Sequence, residues 1–456
     1  MDRLLEPFRK GISEESGYVL AASLSPTPPS DDPSRSYAIA RTFNNFTIQS
    51  ELRSALKPIL PSRDEREAWT DIFIAYYKSL VELLAAEEAT TAHTQSPSTS
   101  PPPNWTKSYQ TWKDLLNALH RGYTQGHLEV WTLPLLYQTT KHLRLLALRA
   151  DATSPSPNAP TPSGSLEDIA STDPSLQHPN LEDCARQINR IFALVTQDRS
   201  PPPNRKYGTY FIAVLLFKTY FRLNSISLCK NIIRSINASS VDMPPLQAFP
   251  KTHRVSYRYY VGVVAFLEER YAEAEEALEE ASALCLAGQQ GARQAERILL
   301  YLIPTKMLTK HVLPTRGLLG RHERLQGLFG PLCAAVRKGD LAGFDAALGE
   351  GEEEFVKMRI YLTLERGRDV CARNLLRRVY LSAGWEEGKE GEVRRSRIPV
   401  AEWAAGLRVV GEDLEPEEVE GVIAGLIYKN LMKGYISRQH SMVVLNKKGA
   451  FPGTGV

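Results

Sequence analysis

Apolar residues recur at helical spacing along most of this chain, and the period changes only near its end. Over residues 65–88, Trp69, Ile72, Phe73, Tyr76, Leu80 and Leu84 fall on one side of a long helix. Residues 105–120, 128–150 and 181–198 repeat the pattern, after a helical first segment broken by the proline-rich run 25–33. Residues 207–223 are apolar nearly all round, which predicts an interior helix, with 227–236 paired to it. Residues 252–269 and 272–286 carry Gly262, Ala274, Leu278 and Ala281, the small and apolar spacing of a tetratricopeptide-type helix pair. Further helical segments follow at 294–310, 325–337, 341–348 and 353–364. Each pair is too small to bury its face alone, so the series predicts a mostly α, TPR-like helical-repeat solenoid. Residues 366–382 make one more helix, with Val370, Leu375, Leu376 and Val379 expected inside and Arg373, Arg377 and Arg378 outside.

Residues 415–445 change period partway. Pro416 suits a first helical position, where its missing N–H would have no intrahelical partner. Glu415, Glu417 and Glu418 complement the positive end of the helix dipole, and Lys429 and Lys433 the negative end. Val419, Val422, Ile423, Leu426 and Leu431 form the apolar face. Gly434 is expected just past the helix, where φ turns positive. Residues 435–437 and 441–445 then read as short strands around a polar turn of Arg438, Gln439 and His440. Upstream, Ile398 suits a one-residue strand and 400–409 a second helix. Helix, strand, helix, helix, hairpin is the order of a winged helix, which would cap the solenoid.

Two polar stretches divide the chain. Residues 90–104 are Ser/Thr/Pro-rich and predict a flexible linker. Residues 151–180 are almost wholly Ser, Pro, Thr, Asn and Asp; they lack the apolar surface to offset ordering entropy and are expected to be disordered. Ser154, Ser156 and Thr161 there precede proline and are candidates for phosphorylation, although a plain spacer is the simpler reading. The expected organisation is N-terminal helical repeats over 1–150, a linker over 151–180, a helical-repeat part over 181–365 and a winged helix over 366–456.

The net charge of +3 names no partner, but its distribution does. From Lys429 to the C-terminus there is no Asp or Glu, whereas Lys429, Lys433, Arg438, Lys447 and Lys448 are basic. With His440, and with Arg394, Arg395 and Arg397 from the preceding loop, they form a candidate phosphate-binding surface. The competing explanation is that two lysines complement the helix dipole and the rest keep a tail soluble. The five cysteines are scattered, odd in number and never spaced C-x-x-C, which argues for a reducing compartment and against disulfides or a zinc ribbon. No apolar run reaches the ~18 residues of a membrane span, and no secretory leader is evident, so a cytosolic or nuclear protein is expected. The chain has no P-loop, no dinucleotide fingerprint and no H-E-x-x-H, and it offers no nucleophile, base and oxyanion set. No catalytic residue, metal, cofactor or small-molecule substrate is therefore expected.

Four separated pieces carry a family resemblance: LFKTYFRLN at 216–224, SYRYYVG at 256–262, ILLYLIPTKML at 298–308 and LIYKNLMKGYISRQH at 426–440. They resemble the signalosome-subunit-twelve family of PCI-domain proteins, which includes the PCI subunit of the second transcription-and-export complex. Asn446, Phe451 and Pro452 extend the likeness, which covers about 181–452; the N-terminal half and the insert at 385–392 lie outside it. The resemblance implies a PCI domain, in which a helical-repeat solenoid runs into a winged helix. It also implies a non-enzymatic subunit that pairs with a second PCI-domain protein through the winged helix, with Tyr435 and Val443 as the candidate contacts. A small acidic subunit shared with the proteasome lid is a further implied partner. Arg373, Arg377 and Arg378, in a cluster with Arg366 and Arg368, are candidates for it, unless they pair with Glu352, Glu353 and Glu354. The paired winged helices are implied to bind RNA and double-stranded DNA, in a nuclear complex coupling transcription to mRNA export or, in a sister complex, to mRNA processing and splicing. Some cytoplasmic presence is compatible with this. The alternative is a pure protein scaffold associated with the signalosome, without nucleic-acid contact.

Overall fold

The computed structural model describes residues 2–43, 47–96, 103–153, 178–286, 288–388 and 391–455. They are mostly α-helical, with paired helices followed by a winged helix. The chain divides into two compact units, Met1–Tyr257 and Arg258–Val456.

The first unit is built on the helix Arg63–Gln95. Its predicted face is buried, and Phe8 packs edge-on against Trp69 and Phe73 with ring centroids 4.7 and 5.1 Å away. Such edge-to-face pairs add to the burial of three large rings. The helix Trp105–Thr124 returns alongside: Trp105 Nε1 donates to Thr90 Oγ1 at 3.2 Å and Ser108 Oγ to Glu82 O at 2.9 Å. Thr90–Gln95 therefore do not belong to a linker. Thr90, Thr91 and Thr94 satisfy their hydroxyls on carbonyls one turn back, so the threonines that resemble linker composition extend the helix instead. Thr209–Arg222 is the expected interior helix, with ten of its fourteen residues buried.

Between Leu133–Thr153 and Pro179–Thr196, residues 154–177 lie outside the described residues, and the phosphorylation candidates Ser154, Ser156 and Thr161 lie with them. Both edges of that stretch are helical. The carboxylate of Asp151, near the end of one helix, accepts the backbone N–H groups of Asn180 and Leu181 at the start of the next (3.0 and 2.9 Å). It satisfies two of the donors a helix start leaves without an intrahelical partner.

In the second unit, the small residues do what their spacing predicts. A Cβ on Gly262 would come within 2.6 Å of Leu278 Cγ, so the helices Lys251–Leu267 and Tyr271–Leu284 meet at a distance only glycine permits. The helices Gln289–Thr309, Glu323–Lys338, Leu341–Glu350, Glu352–Lys357 and Tyr361–Glu365 continue the series. All five cysteines are free, and burial pushes the thiols of Cys229 and Cys371 up to about 12, so they remain protonated packing residues.

The winged helix begins with the helix Arg368–Ser382. Next come β1 (Trp385–Gly388) and β2 (Gly391–Arg394), an antiparallel pair occupying the acid-rich insert. Then follow β3 (Arg397–Pro399), the helices Val400–Val409 and Pro416–Tyr428, β4 (Gly434–Ser437) and β5 (Met442–Leu445). The three-stranded sheet runs β3-β5-β4, all antiparallel. Val370, Leu376, Ile398, Trp403, Leu407, Ile423, Leu426, Val443 and Phe451 form its core.

One expected helix end moves. The last helix stops at Tyr428, and Asn430, not Gly434, takes the left-handed conformation at φ 56°. The Leu431 N–H then bonds back to Leu426 O at 2.9 Å, and Leu431 and Met432 turn into the core. Gly434 opens β4 instead. Its hydrogen is required because a Cβ there would lie 2.3 Å from Val444 O.

Candidate nucleic-acid and partner interface

β5 is the central strand, so its alternation sorts the site. Val443 and Leu445 point into the core, while Val444 faces outward, in register with Arg397 on one side and Tyr435 on the other. Tyr435 is 62% exposed. Pairing continues past the formal strand ends: Asn446 N donates to Lys433 O at 3.0 Å and Lys433 N to Ala450 O at 2.8 Å. Lys433 is thus held beside the segment carrying Lys447 and Lys448, at the base of the hairpin. Arg438 and His440 sit at the other end, in a single 3-10 turn between β4 and β5.

The basic candidates separate into tied and untied groups. Lys429 reaches back to Asp369 and forms an ion pair with it. Arg438 pairs with Glu420 at 3.0 Å and Arg395 with Glu402 at 2.9 Å. Arg394 lies over the rings of Trp385 (4.4 Å) and Tyr380 (5.7 Å), and its Nη1 donates to Leu381 O at 3.2 Å. Lys433, Lys447, Lys448, Arg397 and His440 are exposed and form no ion pair among the described residues. The sequence cluster is therefore smaller as a charged surface than as a string of letters. It is concentrated at the hairpin base, with Arg397 one register step away on the outer face of the sheet.

Beside that base runs a groove of about 880 Å3. Lys447, Lys448 and Arg394 line it together with Trp385, Tyr380 and Phe451. Tyr380 and Phe451 are buried and pack at 5.7 Å to form the floor, while Trp385 stands on the rim, 59% exposed. Sequence reasoning passed over Trp385 because the insert 385–392 is rich in Gly and Glu and lies outside the family resemblance. The available signal was an aromatic and an arginine bracketing two glycines, the outline of a hairpin.

The expected partner contacts need correction. Val443 is 0% exposed, clamped between Ile398 and Ile436, so it supports the sheet from within and offers nothing to a partner. Tyr435 remains available. Arg373 was expected outside and is only 5% exposed; its guanidinium bonds the side chain of Asn374, which itself donates to Val336 O. Burial draws its pKa downward. Arg377 is half-buried and reaches Thr454 O at 3.4 Å, and Arg378 alone of the three is exposed. Arg366 and Arg368 pair with Glu269 and with Asp345 and Glu412, not with 352–354.

Among the described residues no group of His, Cys, Asp and Glu could hold a metal ion, and no helix is long and apolar enough to cross a membrane. The PCI domain model matches residues 348–447, the stretch that contains every strand described above. Over the whole length of both chains, the protein is 47% identical to the "Protein CSN12 homolog" of Neurospora crassa. It is 36% identical to the Schizosaccharomyces pombe protein of the same name over 84% of this chain and 83% of that one. It is also 30% identical to "PCI domain-containing protein 2" of Danio rerio over 76% of this chain and 80% of that one. The chain belongs to the CSN12-homolog family of PCI-domain proteins.

Proposed function

We propose that this chain is a non-catalytic scaffold subunit whose winged helix also carries nucleic acid. The observation that carries the reading is the gathering of Lys433, Lys447 and Lys448 at the hairpin base, exposed, without ion pairs among the described residues, beside a groove rimmed by Trp385. Lysines so placed position phosphates without reading bases, so binding is expected to be sequence-tolerant and strongly salt-dependent. The outer face of the sheet, with Tyr435, Val444 and Arg397 in one row, is the docking surface for a second PCI-domain subunit. Arg378 is the remaining contact for a small acidic subunit from the original three arginines. The complex is proposed to be nuclear and to act in export or processing of transcripts on RNA and DNA, as the sequence resemblance implies.

Anisotropy titration of labelled RNA and duplex DNA across salt tests this reading. Three to four neutralised phosphates give a slope of log K against log salt of roughly −3. Lys433→Glu, Lys447→Glu and Lys448→Glu together should abolish binding while leaving co-purification with the PCI partner intact. Tyr435→Asp should do the reverse. Nucleic-acid affinity unchanged in the triple variant would remove the hairpin base as the site, and no binding by the parent chain would leave the pure signalosome-associated scaffold as the surviving reading.

A further inference from the structure

We infer that Trp385 is a stacking platform for an unpaired base, so that the groove at the hairpin base selects single-stranded nucleic acid over duplex. The inference rests on the nucleic-acid reading above and goes beyond it in naming the strand form and the residue that chooses it.

Three observations carry it. First, Trp385 is a large apolar ring that the fold does not bury: it stands 59% exposed at the start of β1 while the aromatic residues beneath it, Tyr380 and Phe451, are closed off. Second, the ring is held in place. Arg394 lies directly across the β1–β2 ladder from Trp385 and over its face at 4.4 Å, and Arg394 is itself fixed by Leu381 O. A ring ordered in advance loses little freedom on binding. Third, Lys447 and Lys448 line the same groove, together with Glu392. An aromatic face and two ammonium groups in one groove can take a base and its flanking phosphates at once. A base inside a duplex is already stacked on its neighbours and has no face to offer Trp385; a base in a single strand does.

The hairpin also limits where the strand can run. Glu387 and Glu392 sit directly opposite each other on β1 and β2, one pleat further out than Trp385 and Arg394. Two facing carboxylates repel phosphate, so the backbone is confined to the Lys447–Lys448 side and only a base reaches toward the hairpin. The groove volume of about 880 Å3 is enough for one or two nucleotides.

The test uses the full chain, a labelled short oligouridine and a labelled DNA duplex, with affinities by anisotropy at fixed salt. Trp385→Ala should weaken oligouridine binding by about 5- to 100-fold, the range of one lost base–aromatic stack, and leave duplex binding within about twofold. Trp385→Phe should retain most of the single-strand affinity, and thermal melting of both variants should match the parent. The inference is overturned if Trp385→Ala leaves oligouridine binding unchanged, or weakens strand and duplex equally, while the triple lysine variant still abolishes both; the broader reading then stands. If the parent chain binds neither probe, the reading and the inference fall together.

Discussion

Two corners of this molecule use basic side chains in opposite ways. At the Asp198 corner of the first unit, Arg205 presents Nε and Nη2 to the Asp198 carboxylate at 3.0 and 3.2 Å. The backbone N–H groups of Ser200 and Arg205 complete the cage at 3.1 and 2.8 Å, and Arg205 Nη1 donates to Tyr123 O at 2.8 Å. The Asp198 carboxyl is held well below the usual carboxylate range, chiefly by the Arg205 hydrogen bonds. At the hairpin base of the second unit, Lys433, Lys447 and Lys448 stand in solvent with no carboxylate on them among the described residues. Charge at the first corner holds the chain together, whereas charge at the second stands in solvent. A count of basic letters does not separate these roles; the partner of each group does.

The contrast can be broken by substitution. Asp198→Ala should cost about 3 kcal/mol in denaturant unfolding, because it strips a bidentate partner from Arg205 and acceptors from two backbone donors. The pH dependence has a definite sign. The folded-state pKa is depressed, so the contribution is present above the unfolded value near ~4 and fades as pH falls through the folded one. Asp198→Asn should flatten that acid limb, and an unchanged limb would show the cage to be unimportant. Next in size, Arg373→Ala should cost about 2 kcal/mol by opening a buried site and freeing Asn374, while Arg378→Ala should stay within about 0.5 kcal/mol. The triple lysine variant should leave the unfolding midpoint in place yet abolish nucleic-acid binding at the salt where the parent chain binds. Smaller again than Arg373→Ala, Arg438→Ala removes a surface pair with Glu420 and should change stability by less than about 1 kcal/mol.

The helical repeats were legible because burial imposes a period on sequence. Trp69 to Leu84 and Thr209–Arg222 declare their faces through spacing alone, and Gly262 with Leu278 declares a close approach. The winged-helix order was legible for the same reason. What escaped depended on which atom meets which. Gly434 carries the composition of a helix stop, yet the stop lies four residues earlier at Asn430, because Leu431 and Met432 had to be buried first. Arg373 and Arg378 differ by little in letter or position, but the one is enclosed and the other is not. Trp385 was hidden by its acidic neighbours, whose alternation along β1 only emerges once the strand has a partner.

The contact at Gly262 limits how this repeat can move. With Leu278 seated where a side chain would otherwise project, sliding one helix along the other by a turn would drive a larger residue into that seat. The close seat of Leu278 on Gly262 is therefore a lock against translation of one helix along the other.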